Sequence, residues 1–187
     1  MIEQMSARLR GRKTFESAIE VILDDVIALH GAEFGDVQLP IGDDELIIVA
    51  QRGLVPAFLE AFRRVKKSDG CASGRAWRSG RSIVIRDVQK DDAYALFRRD
   101  AKRAGYRAVQ STPLIAKDGT LLGMVSTLFA SPHAPTSIEM DILKVYSNVA
   151  ADYLHELLGK QNLAHKAEQM GARLFEIDMA APPLRSA

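Results

Sequence analysis

The chain of 187 residues has one cysteine, Cys71, which excludes an intramolecular disulfide framework and gives no sign of an oxidising compartment. No apolar run approaches the ~20 residues that a bilayer-spanning helix needs. The opening residues, MIEQMSARLRGRK, lack the apolar core of a secretory signal. Net charge is almost absent as well: 25 Lys and Arg oppose 24 Asp and Glu, leaving +1. No overall field therefore draws the protein to nucleic acid or to an anionic membrane. No catalytic motif occurs anywhere. The four histidines, His30, His133, His155 and His165, are scattered, and the last two are ten residues apart rather than three or four, as a helical metal site needs. The expectation from these absences is a cytoplasmic protein without a metal, a membrane segment or a nucleic-acid partner.

What is present is an ordinary globular composition, 47% hydrophobic and 26% charged, at a length suited to one well-buried domain with some extra helix. Residues 1–13 are basic and polar and read as a frayed helix or an arm. Thr14 is placed to cap a helix in which Phe15, Ala18, Ile19, Ile22, Leu23, Val26 and Leu29 recur at helical spacing, with Gly31 ending it. His30 falls at that helix C-terminus, where the dipole favours a partly cationic imidazole. Gly35–Leu39 and Leu46–Arg52 read as two antiparallel strands around a polar turn. Pro56 opens a short helix carrying Phe58, Leu59 and Phe62 on one face. Residues 66–82 are loop-rich with a helical turn at Ala76-Trp77, Ile83–Ile85 is a short strand, and Asp87–Gly105 reads as a further amphipathic helix.

The most informative stretch is Tyr106–Phe129, two strands joined through Lys117-Asp118-Gly119, because Asp-Gly between alternating apolar runs marks a hairpin turn. It carries Ser111, Thr112, Ser126 and Thr127 among apolar residues, as a sheet lining a cavity does. Thr136-Ser137-Ile138-Glu139 then fits a capping box. The long helix behind it bears two apolar stripes: Ile138, Ile142, Val145, Val149, Tyr153 and Leu157, and, offset from it, Leu143, Ala150, Leu154 and Leu158. One stripe can pack on the sheet; the other would be wasted on a monomer. A thinner series (Leu163, Met170, Leu174) runs on toward a tail at Pro182. The domain reading is therefore an arm at 1–13, a core at 14–158 and a helical extension with tail at 159–187.

The order helix, hairpin, helical crossover, short strand, helix, hairpin, long helix resembles the GAF domain family, and in particular the GAF modules of bacterial sensor kinases. The residues that carry the likeness are Gly35–Leu39 with LIIVAQRG at 46–53, the turn GCASGRA at 70–76, IVIRDV at 83–88, and GYRAVQST at 105–112 with Pro113-Leu114, Asp118-Gly119 and Leu122–Ser126. Ser131–Pro135 before the last helix matches the same subgroup. The resemblance implies an α+β fold with a central antiparallel β-sheet of GAF/PAS type. The first and last helices would lie on one face, with crossover segments 54–82 and 87–105 covering a pocket on the other. It implies a non-catalytic sensory module that binds a small molecule, dimerises through its terminal helices and passes its signal to a partner such as a kinase. The chain stops after Leu174 and a proline-containing tail, which leaves a free-standing module and a fragment both open.

On that fold the pocket residues expected are Phe58, Phe62, Tyr94, Phe97 and Tyr106 from the cover, with Ser111, Met124, Ser126 and Leu128 from the sheet. A mostly apolar cavity with a few hydroxyls suits an unidentified small molecule. No cofactor is named by the residues. The same side chains can also simply pack together, which would make the protein a ligand-free dimerisation module. A third reading, an enzyme like the GAF-fold free methionine sulfoxide reductase, is disfavoured because Cys71 has no resolving cysteine. The thiol is expected to be buried and inert. Basic clusters at 63–67 and 98–103 read as solvated polar faces of the covering helices; converging at a pocket mouth, they would attract an anion.

Overall fold

A computed structural model describes the chain over residues 1–180, with side chains to residue 176; the tail expected from Pro182 lies outside the described residues. Six antiparallel strands form one sheet in the order β3-β2-β1-β6-β5-β4: β1 Phe34–Pro40, β2 Glu45–Arg52, β3 Arg64–Lys66, β4 Ile83–Ile85, β5 Ala108–Ile115 and β6 Leu121–Phe129. The seven helices among the described residues are α1 Ile2–Arg10, α2 Phe15–His30, α3 Pro56–Phe62, α4 Ala72–Ser79, α5 Arg98–Ala104, α6 Ser137–Leu158 and α7 Leu163–Ala180. This is the α+β architecture expected, with α2 and α6 on one face and the crossover segments on the other.

The two long helices start where their caps are. Thr14 Oγ1 accepts from the Ser17 amide at 3.2 Å and opens α2. At α6 the Thr136 hydroxyl accepts from the Glu139 amide (3.2 Å) while the Glu139 carboxylate accepts from the Thr136 amide (2.6 Å), so two orphan donors are satisfied reciprocally. The β5–β6 turn closes on Gly119 at φ +87°, a conformation that costs glycine nothing, with Asp118 Oδ1 accepting from the Thr120 amide at 2.9 Å. Sequence and backbone agree at all three.

Alternation along the strands divides the core in two. Ile47 and Val49 of β2, with Val37 and Leu39 of β1, face α2 and α6, where Ile19, Ile22, Leu23, Leu143, Ala150 and Leu154 are buried. Leu46 and Ile48 face the crossover side with Leu59, Val65, Ile85 and Met124. Each large aliphatic side chain fully buried in these clusters contributes about 1.5–3 kcal/mol.

Residues 2–10 are a packed helix rather than an arm, because Met5 and Leu9 are buried against α2 and α6 and Arg8 pairs with the buried Asp25. The C-terminal α7 folds back over β2 and β1. Gly171 permits that approach, since a Cβ there would lie 2.6 Å from Ile47 Cδ1. On α6, Leu143, Ala150, Leu154 and Leu158 are the buried stripe; Ile138 and Val145 of the other stripe are exposed at 70% and 47%.

Three local expectations fail for identifiable reasons. Residues 64–66 are a short edge strand, pairing Arg64 with Ile47 and Lys66 with Glu45, so those two cations are not on a helix face. The segment 87–105 is not one helix. Asp87 is held in a turn by the Gln89 amide and the Arg107 guanidinium, and a 3₁₀ turn at Asp92–Phe97, capped by Asp91, precedes α5. His30 does end α2, but it is buried against Thr127 (Nδ1 to Oγ1, 3.1 Å). Burial lowers its pKa, so desolvation overrides the dipole.

Candidate functional site

The crossover face of the sheet carries a polar row set by strand register. Asp36 of β1 lies opposite Ser126 of β6, which lies opposite Ser111 of β5. Two residues along β1, on the same face, comes Gln38. All four side chains are buried, at 3% exposure or less. Ser111 and Ser126 share a hydrogen bond of 2.8 Å between their hydroxyls, and Ser126 also bonds the Asp36 side chain. Asp36 Oδ2 and Gln38 Oε1 have no hydrogen-bond partner.

Aromatic side chains from the crossover roof this row. Phe58 and Phe62 of α3 stack with centroids 4.6 Å apart, and Phe58 meets the Tyr106 ring edge-on at 5.7 Å. Tyr94, from the 3₁₀ turn, shares a 2.7 Å hydrogen bond with the Tyr106 hydroxyl. The roof is pinned from outside by arginines. Arg75 Nη1 reaches both Asp91 oxygens at 2.9 and 2.8 Å, and Arg98 donates to the Val88 and Asp91 carbonyls.

Between floor and roof is a cavity of about 20 Å³, bounded by Asp36, Gln38, Phe58, Phe62, Cys71, Ala72, Ser73, Tyr94, Val109, Ser111, Ser126 and Leu128. That is room for about one water-sized group. Six of the nine expected pocket residues bound it: Phe58, Phe62, Tyr94, Ser111, Ser126 and Leu128. The other three stand behind them. Tyr106 and Met124 are buried in the surrounding core, and Phe97 packs on Phe62 at 5.5 Å. Six boundary residues were missed, Asp36, Gln38, Cys71, Ala72, Ser73 and Val109, and of these Asp36 and Gln38 carry the strongest polarity. Their signal was the alternation Asp36-Val37-Gln38-Leu39, a strand with one apolar and one polar face in which both faces are buried.

Burial raises the Asp36 pKa to about 7, the Ser126 hydrogen bond opposing it. Cys71 is also raised by burial, and its Sγ lies 3.8 Å from Ser73 Oγ, so this thiol is held in its neutral, inert form. Tyr94 and Tyr106 are raised too, first by burial. None of the basic residues at 63–67 or 98–103 bounds the cavity. Arg64 pairs with Glu45 at 2.6 Å, Arg63 sits 4.2 Å over the Phe175 ring and Arg103 faces Asp100 at 3.8 Å, so the anion-attracting arrangement is not formed. A larger depression of about 570 Å³ between α1 and α2 has Asp25 as its buried charge, and that carboxylate is already committed to Arg8 and Tyr146. His133 stacks on Phe129 at 3.8 Å, and its backbone amide, rather than its ring, makes the turn hydrogen bond to the Arg86 carbonyl.

Among the described residues no three His, Cys, Asp or Glu side chains come together as a metal would need, and no helix is long and apolar enough to cross a membrane. A search of curated proteins finds no match. Solved structures do match the fold. The GAF domain of an Acinetobacter phosphoenolpyruvate-protein phosphotransferase superposes with a TM-score of 0.67 at 11% identity, over 90% of this chain and 94% of that one. The free methionine-R-sulfoxide reductase of Neisseria meningitidis, solved with its substrate, gives 0.66 at 16%, over 89% of each chain. The chromophore-binding domain of an R. palustris bacteriophytochrome gives 0.65 at 16%, over 83% of this chain and 59% of that one. The model of the GAF domain, a family of typically sensory and regulatory modules, matches residues 12–155, so the chain belongs to the GAF domain family.

Proposed function

We propose that the protein is a non-catalytic sensory module that binds a small molecule at the Asp36 cavity and dimerises through its terminal helices. The observation that carries the first part is the unpartnered pair Asp36 Oδ2 and Gln38 Oε1 facing the cavity. A buried carboxylate with no counter-charge costs several kcal/mol, and an apolar side chain at 36 would avoid that cost. Catalysis is disfavoured because the one thiol is buried with a raised pKa and no histidine bounds the cavity. Dimerisation is supported by the exposed Ile138 and Val145, between which the half-buried Ile142 continues the same stripe of α6. A dimer would let a shift of the cover reach a signalling partner such as a kinase through α2 and α6.

A second reading, a dimerisation module with no ligand, is favoured by the small volume of the cavity. Native mass spectrometry separates the two, reporting mass, stoichiometry and any co-purified molecule in one spectrum. A dimer with a retained small molecule is expected. A dimer that retains nothing, with no thermal shift across a metabolite set, would leave only the interaction module. A monomer at micromolar concentration would remove the dimer from both.

A further inference from the structure

We propose that the cavity under Phe58 and Phe62 receives a protonated amine, with Asp36 as its counter-ion and Gln38 Oε1 and the serine hydroxyls accepting its other N–H groups. The inference rests on the small-molecule reading above and names the chemical class. Both unpartnered atoms that face the cavity are acceptors, so what completes the site must donate. No Lys, Arg or His bounds the cavity, so the protein does not itself supply the positive charge that Asp36 lacks. The titratable groups that do face Asp36 are Cys71, ahead of α4, and Tyr94 and Tyr106. All three are held neutral, and the two tyrosines are bonded to each other.

Size narrows the choice. With the roof closed, about 20 Å³ has room for one water-sized group, and an ammonium group is of that size. An anion would also meet the Asp36 charge, and an apolar group would leave both acceptors buried and unpaired. The aromatic roof suits a cation, since Phe58, Phe62 and Tyr94 all bound the space. Two sources share this chemistry. Free ammonium fits with the roof closed, whereas the headgroup of an aliphatic amine requires α3 to move outward to admit its tail.

The test is a thermal-shift and calorimetric titration of the full chain at pH 8. Ammonium chloride, methylammonium and longer primary amines are compared at constant ionic strength with potassium chloride and tetramethylammonium. Ammonium or the primary amines should raise Tm. Asp36→Asn should abolish the rise, and Asp25→Asn, on the opposite face, should keep it. Affinity should weaken about tenfold per pH unit below 7, as the proton competes for Asp36. Because Asp36→Asn can change the fold, the ¹⁵N signal of bound ammonium or amine in the wild-type protein gives a second readout. A response to ammonium assigns the free ion, and one confined to longer amines assigns the headgroup. A shift matched by potassium or tetramethylammonium, or retained in Asp36→Asn, overturns the proposal. Binding of a neutral or anionic metabolite that Ser111→Trp blocks would also overturn the amine class while leaving the sensory reading standing. No response to any compound overturns both.

Discussion

Two buried aspartates, one on each side of the sheet, have opposite environments. Asp25 on α2 faces the helical layer, where Tyr146 of α6 donates to it at 2.6 Å and Arg8 of α1 pairs with it. Asp36 on β1 faces the crossover layer and has a serine hydroxyl and no cation. Both are 2% exposed. Burial raises both carboxyls, but at Asp25 the Tyr146 and Arg8 contacts pull the other way, and Asp36 rises to about 7. Polar groups in the helical layer thus join elements to one another, here three helices at one carboxylate. Asp36 instead keeps an unused acceptor with no cation beside it, although unpartnered atoms are not confined to its layer: His30 Nε2 and Gln110 Oε1 on the helical side also lack partners. The first arrangement serves stability, and the second is what the proposed ligand would complete.

The sharpest way to break this comparison is through pH. The folded-state pKa of Asp36 lies above its unfolded value of 3.8, at about 7, so the folded protein holds a proton that the unfolded chain releases. The Asp36 contribution to stability is therefore fully present below pH 4, is lost as pH rises toward 7 and levels off above it, whereas carboxylates with lowered pKa values, such as Glu16, Asp118 and Glu139, contribute in the opposite direction. The loss is about 4 kcal/mol at most. Asp36→Asn should remove that slope and raise Tm at pH 8. Urea melts across pH 4–8 check it, and identical slopes for wild type and variant would place the two aspartates in the same class.

Asp25→Ala should act in the opposite direction, costing about 2–3 kcal/mol because the Tyr146 hydroxyl is left buried without its acceptor and the three-helix contact is lost. Denaturant unfolding measures it. A variant as stable as wild type would deny Asp25 its structural role. Ser111→Ala should cost less, about 1 kcal/mol, since it breaks one neutral hydrogen bond to Ser126 and leaves Asp36 its own bond to that hydroxyl. The smallest effect on stability, within about 0.5 kcal/mol, is expected for Val145→Glu on the exposed stripe of α6. That change should instead convert a dimer into a monomer in light scattering, and a dimer unchanged in mass would move the interface elsewhere.

Much of the fold could be read before the structure because its signals are local. Thr14, the Thr136–Glu139 box and the Asp118-Gly119 turn each satisfy or set a backbone group within a few residues, and helical periodicity located α2 and α6. The failures came where a partner far along the chain decides the outcome. Strand β3 exists because 64–66 reaches back to β2, and the 87–105 segment breaks because Arg107 holds Asp87. The cationic expectation for His30 failed in the same way, at the contact with Thr127 of β6. The site was half legible. Aromatic spacing, the hairpin hydroxyls and Leu128 of the same hairpin pointed to six residues that bound the cavity. Asp36 and Gln38 were passed over because polar residues alternating on a strand ordinarily mean a solvent-facing side, and only the α3 and 3₁₀ cover turns that side inward.

The measurement that bears most directly on the contrast is the side-chain carboxyl titration of Asp36 and Asp25 by carbon-detected NMR in the ligand-free protein. Asp36 should titrate near pH 7 and Asp25 below it. An Asp36 midpoint in the ordinary carboxylate range, at or below that of Asp25, would mean that a counter-charge already reaches it, and the case for a cation-seeking cavity would fall.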